Sequence, residues 1–301
     1  MPVNPLVYQD FTVYAIPAYL AVIAIELFIA TRENLKIYEW KDSLACLGMG
    51  LGSLLIGIGM KTAAFLGFSF IHKYALFTIG NQWWVFVFLF FADDFTFYWH
   101  HRLSHQVRIL WAAHINHHSS QKLNFAVALR QSWTELLYKY FFWAWLPLLG
   151  FDPLMILFVM SINLIYQFFQ HTQLVGKLGL LEWFFNTPSH HRVHHAVNIK
   201  YLDRNHAGTL IIWDRLFGTF QEEDKNEKPV FGITSNITTF NPVKIASHEF
   251  VNIWNDLKKT NSFTHKLKYL FFPPGWSHNG ANRTSAYLRR QLEKHKAGNE
   301  K

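Results

Sequence analysis

The hydrophobic positions of this chain fall in blocks. Residues 11–30, FTVYAIPAYLAVIAIELFIA, are long enough to cross a bilayer and carry one acid, Glu26, near their end. Pro17 is tolerable in such a helix, because its neighbours can satisfy the backbone group it frees. After a polar stretch at 31–42, a second apolar run covers 43–60, SLACLGMGLGSLLIGIGM. Its Gly48, Gly50 and Gly52 suit close helix contact; with no strand before them they do not make a dinucleotide fingerprint. Residues 61–80 are apolar but interrupted by His72 and Lys73, which fits a re-entrant or interfacial segment. The run 82–99 predicts a third span, opened by Trp83 and Trp84 at headgroup level. Asp93 and Asp94 lie near its far end, where an ionisable group calls for a partner.

Residues 138–151 and 153–170 predict a hairpin of two apolar segments joined at GFDP. Both ends of such a hairpin lie on one side of the membrane, so the histidine-rich stretches near 101–118 and 171–195 should meet there. Lys and Arg are concentrated on that side, which marks it as cytoplasmic. The expected molecule is an all-α, polytopic integral membrane protein with four or five transmembrane helices and a cytoplasmic helical cap. It would reside in the inner membrane of a bacterium or the endoplasmic reticulum of a eukaryote. Three regions follow: an N-terminal transmembrane region (1–99), a histidine-box region containing the hairpin (100–220, hairpin 138–170), and a polar cytoplasmic C-terminal tail (221–301).

Composition sharpens this picture. Only 16% of the 301 residues are charged, against roughly a quarter in soluble domains, and most charges fall after residue 170. The net charge of +8 is not organised into a basic run with interleaved exposed aromatics, which argues against nucleic acid and for anionic lipid headgroups. A single cysteine, Cys46, excludes an internal disulfide framework and a thiolate metal cluster. The first residues, MPVNPLVYQD, lack a basic n-region and a small-residue cleavage site, so no cleaved signal peptide is expected. The sequons at 236 and 282 fall on the side expected to be cytoplasmic, where glycosylation is not expected.

The chemistry lies in the histidines. HRLSH supplies His101 and His105; HINHH supplies His114, His117 and His118; QHTQ supplies His171; HRVHH supplies His191, His194 and His195. Spacings of three and four place side chains on one helix face. With 17 histidines in the chain, one H-x-x-H-H box should arise by chance about 0.05 times, so two copies are a strong signal. Adjacent helical residues point about 100° apart, so His100 and His190 diverge from their neighbours and can at best support them. Nine imidazoles exceed the needs of one tetrahedral zinc and suit two ions with four or five nitrogens each. No H-E-x-x-H supplies the base of a zinc hydrolase, and the Glu-x-x-His of ferritin-like di-iron proteins is missing. An all-nitrogen pair at a membrane surface fits di-iron O₂ chemistry on a lipid.

The stretches DFTFYWHHRLSH, LWAAHINHHSSQKLNFAVALRQSW, NLIYQFFQHTQ, NTPSHHRVHHAVN and DRNHAGTLIIWDRLFGTF, with FGITSNITTFNPVKI and FFPPGW further on, resemble the fatty acid hydroxylase/sterol desaturase superfamily. The resemblance is closer to its alkylglycerol monooxygenase branch and runs from about residue 80 to 276. It implies a membrane monooxygenase with two iron ions that uses O₂ and takes electrons from tetrahydrobiopterin. The implied reaction hydroxylates a glycerol ether lipid beside the ether oxygen, giving a hemiacetal that collapses to a fatty aldehyde and a glycerol derivative. The resemblance assigns the iron to His101, His105, His114, His117, His118, His171, His191, His194 and His195. It also makes Asp94, Asn198, Asp203 and Asn205, beside His190, candidates to orient imidazoles, although cap and turn roles fit them equally well. Gln106, Gln121 and Gln173 replace acids usual in the branch, and His206 replaces a tyrosine.

No Rossmann, flavin or haem motif is visible, so a diffusible reductant or an external reductase must supply electrons. The membrane lipid substrate would enter between spans lined by Phe86, Phe88, Phe90 and Phe91. Alternatives are a hydroxylase or desaturase of fatty acyl, sterol or carotenoid chains, a membrane zinc hydrolase, and a silent metal-binding scaffold.

Overall fold

The computed structural model describes residues 11–299 and is all-helical. Among the described residues β pairing is limited to two isolated bridges, Phe185–Leu210 and Ala196–Phe231. Helix α1 (Phe11–Arg32) and helix α2 (Trp40–His72) are long and apolar enough to cross a membrane. The run at 43–60 and residues 61–72 of the segment that follows it are one helix, which ends at His72. Nothing between them breaks hydrogen bonding, and the 33 residues of α2 extend about 50 Å at 1.5 Å per residue. That exceeds a hydrocarbon core of about 30 Å, and the first turns of α2 are spent against the histidine-bearing part. Gly52 lies so close to the Trp133 indole that a Cβ would come within 2.5 Å of it, and a Cβ on Gly50 would meet the Leu129 carbonyl at 3.1 Å.

Helix α3 (Trp83–Gln106) runs without a break from the third apolar block into the first histidine box. Val107 then takes an extended conformation (φ −111°, ψ 115°) and the chain turns into α4 (Arg108–His118). The expected hairpin differs in its first arm. Residues 139–143 form 3₁₀ turns, α5 (Trp145–Leu149) is a single short helix containing Pro147, and Gly150 closes it in a left-handed conformation (φ 114°). A side chain at Gly150 would strike the Phe77 carbonyl. The second arm is a true helix, α6 (Pro153–Phe168), capped by the Asp152 carboxylate on the Leu154 and Met155 amides. Its 16 residues extend only about 24 Å.

The main apolar core joins α2, α3, the 140–146 turns and α6 through Phe68, Leu89, Trp143, Leu146, Ile156 and Val159. Phe86 and Phe90 pack against that core, while Phe88 and Phe91 face outward. The short helices α7 (Pro188–His194) and α8 (Ile212–Leu216) follow, then α9 (Pro242–Leu257), α10 (Phe263–Phe271) and α11 (Ser285–Asn299). The region past 221 is docked: Arg108 of α4 bonds Glu249 at 2.9 Å and Asp256 at 2.7 Å on α9.

Two buried acids in the apolar helices act as clamps. Glu26 accepts from the Phe125 amide (2.8 Å), the Tyr38 hydroxyl (2.7 Å) and the Thr172 hydroxyl, and so ties α1 to loops that flank the histidines. Asp42 accepts from Arg130 (2.8 Å) and Ser120 (2.6 Å), and Arg130 also donates to the Asn116 carbonyl at the end of α4.

Candidate metal centre and its cavity

The histidines arrive from four places. His101 and His105 lie one turn apart at the end of α3; His114, His117 and His118 close α4; His171 follows α6; His191, His194 and His195 end α7, which Pro188 opens. All nine are buried. They gather in two adjoining sets, His101, His105, His114, His118 and His194 in one, and His117, His171, His191 and His195 in the other. Within each set the ligating atoms lie within 4.8 Å of one another. Each H-x-x-H-H box is therefore divided. The first and last imidazoles, one turn apart, serve the same set, while the middle one, rotated along the helix, serves the other. The sets touch where the His118 and His195 rings stack with centroids 4.4 Å apart.

Five rings are fixed from behind. His101 Nδ1–H donates to the His206 carbonyl (2.7 Å), His171 to Gln167 (2.8 Å) and His194 to Arg204 (3.0 Å). His114 donates to the Glu135 carboxylate (3.0 Å) and His105 to Asp203 (3.2 Å). A neutral imidazole with its proton on Nδ1 offers a lone pair at Nε2. His101 and His114 therefore point two lone pairs at each other across 3.0 Å, and the Nε2 atoms of His105 and His194 have no hydrogen-bond partner among the described residues. Facing lone pairs cannot bond each other but can share a cation, so this donor set fits metal ions.

Electrostatics agrees. Burial, reinforced by neighbouring imidazoles, pushes His117, His118, His191 and His195 well below the ordinary histidine range. Burial also brings His171 down to about 4 and His194 to about 3. At neutral pH these rings are uncharged, the form that ligates a metal.

A cavity of about 190 Å³ opens on this centre, with His101, His114, His117, His171 and His191 in its wall. Tyr19, Leu129, Leu157, Met160 and Phe168 supply apolar lining from α1, the 127–129 turn and α6. Its walls are not those expected from the sequence. The aromatic stripe of α3 faces the core or the outside, and only Phe97 of that helix's phenylalanines lines the cavity.

Residues 86–219 match the fatty acid hydroxylase family model. The chain is 37% identical to the human alkylglycerol monooxygenase over 271 residues (89% of this chain, 60% of that protein) and 39% identical to the Xenopus tropicalis one over 276 residues (87% and 60%). It is 30% identical to the ornithine lipid hydroxylase OlsE of Rhizobium tropici over 237 residues, 73% of this chain and 70% of that protein. The chain belongs to the fatty acid hydroxylase family. It spans about 60% of the length of the two alkylglycerol monooxygenases. No solved structure matches it.

Within this family member the residues expected to orient imidazoles divide. Asp203, in a left-handed turn (φ 52°), reaches His105. Asp94 touches no imidazole among the described contacts; it accepts from the Thr209 and Leu210 amides and the Trp213 indole, and so fixes the loop that follows His206. Asn205 (φ 55°) braces the His190 and Gln221 carbonyls, and Asn198 braces residues 227–230. His190 stands beside Glu182 at 3.9 Å and against the Phe220 ring. The replaced acids are peripheral: Gln121 is exposed, Gln106 is partly exposed at the end of α3, and Gln173 holds the Leu123 carbonyl.

One residue escaped the sequence reading, and a second was read only as a replacement. Glu135 is the sole acid between Asp94 and Asp152, a signal that a lone carboxylate among histidines could have given. His206 is fully buried, its ring 5.0 Å from that of His105, and neither nitrogen has a partner among the described residues.

Proposed function

We propose that this chain is a membrane-bound, iron-dependent monooxygenase that hydroxylates glycerol ether lipids beside the ether oxygen and so cleaves them. The observation that carries the reading is the pair of imidazole sets opening onto a cavity with apolar walls. The relatives named alkylglycerol monooxygenases supply the substrate class. In this reading α1, α2 and α3 cross the membrane, α5 and α6 enter it and return, and the histidine-bearing part forms a cytoplasmic cap.

His101, His105, His114, His118 and His194 would hold one ion, and His117, His171, His191 and His195 the other. Bound iron would supply O₂ activation. One oxygen atom enters the C–H bond and the other leaves as water, using two electrons and two protons from an external donor, tetrahydrobiopterin or a partner protein. The hemiacetal then breaks its C–O bond; the hydroxylated carbon becomes the aldehyde and the glycerol oxygen takes the proton. The chain's own part is to keep the imidazoles neutral, to hold their Nε2 atoms inward, and to seat an alkyl chain away from water along Leu129, Leu157 and Phe168.

The test is iron-loaded protein incubated with a 1-O-alkylglycerol, tetrahydrobiopterin and O₂. Release of fatty aldehyde is expected. A stable hydroxylated lipid without cleavage would replace ether cleavage by simple lipid hydroxylation, and iron-loaded protein that consumes no O₂ with any lipid would overturn both.

A further inference from the structure

His100 is the buried histidine of α3 that the imidazole sets leave out. Its ring packs edge-on against Phe142 with centroids 4.9 Å apart and lies 5.6 Å from the Trp143 ring. It lines the cavity, is 2% exposed, and neither ring nitrogen has a hydrogen-bond partner among the described residues. A polar group buried this way is costly unless something completes it.

Across from it stands Glu135, which also lines the cavity. Its Oε2 accepts the His114 Nδ1–H, while its Oε1 lies 3.7 Å from His100 Nε2. That gap is too wide for a direct hydrogen bond, yet one oxygen can sit about 2.8 Å from both atoms. The carboxylate only accepts, whereas His100 accepts or donates according to its tautomer. With the His100 proton on Nε2, a hydroxyl completes the pair, donating its one hydrogen to Glu135 and accepting from His100.

We propose that His100 and Glu135 form the seat for a hydroxyl of the substrate's polar head, so that the lipid is recognised as a neutral polyol at the edge of the metal centre. The assignment deepens, and rests on, the ether-lipid reading. It makes these two residues determinants of head-group specificity, and it gives Glu135 a double duty, since the same carboxylate also positions His114.

Anaerobic binding to the iron-loaded protein tests it without turnover, using radiolabelled 1-O-hexadecylglycerol and its analogue with both hydroxyls methylated. The unaltered protein should prefer the diol by about tenfold, the worth of one hydrogen bond to a charged group. His100→Phe, which keeps the packing on Phe142, should reduce that preference to about twofold or less while iron content stays unchanged. Glu135→Gln, whose amide oxygen still accepts from His114, should retain iron and lose part of the preference. The proposal falls if His100→Phe keeps the full preference, or if it loses iron, which would place His100 in support of the metal instead. A preference without aldehyde release would sink ether cleavage and leave the seat standing; aldehyde release without a preference would sink the seat alone.

Discussion

Asp203 meets His105 from a turn whose positive φ an aspartate tolerates, and its carboxylate fixes which ring nitrogen carries the proton. Asp203→Asn should therefore weaken metal affinity by about 10–100-fold, read as iron retained at limiting chelator. Asn198→Ala, which removes contacts only to residues 227–230, should leave it unchanged. At this scale the sequence was legible where chemistry repeats at helical spacing: the nine imidazoles that the structure gathers are those the boxes mark. It was silent where the partner is backbone. Three of the five tethers behind the rings are carbonyls of Gln167, Arg204 and His206, which no residue type announces. His100 and Glu135 lie 35 positions apart and meet only because α3 packs beside the 139–143 turns.

Among the elements, periodicity located the apolar blocks but not their joints. The two blocks fuse into α2 because no proline interrupts the helix between Trp40 and His72, and the first arm of the hairpin fails as a helix around Pro147 and Gly150. What places α2 is the buried pair Arg130–Asp42, with side chains 1% and 8% exposed. Arg130→Met alone leaves the Asp42 charge buried without its cation, and should destabilise the protein by about 3–5 kcal/mol. Thermal unfolding in detergent should show a lowered midpoint. The double variant Asp42→Leu, Arg130→Met should recover most of the loss, because it removes the stranded charge.

For the whole molecule the buried imidazoles make folding sensitive to acid. In the unfolded chain a histidine takes a proton near pH 6.5; in the fold His171 resists until about 4 and His194 until about 3. Between these limits the unfolded state binds more protons, so stability rises with pH. The contribution is complete above about pH 6.5 and is lost as pH falls toward 4, with each such histidine costing about 1.4 kcal/mol per pH unit. Metal-free protein melted at pH 7.5 and pH 5.5 should show the lower midpoint in the more acidic buffer, and an unchanged midpoint would mean that the rings are already solvated.

The division of each histidine box has a consequence for assembly. Because α4 and α7 both contribute side chains to either set, the arrival of the first ion stiffens half of the frame that receives the second. Loading should then proceed as a single concerted uptake with few half-filled molecules. Stepwise titration of the empty protein, followed by native mass spectrometry, should show the doubly filled species growing at the expense of the empty one.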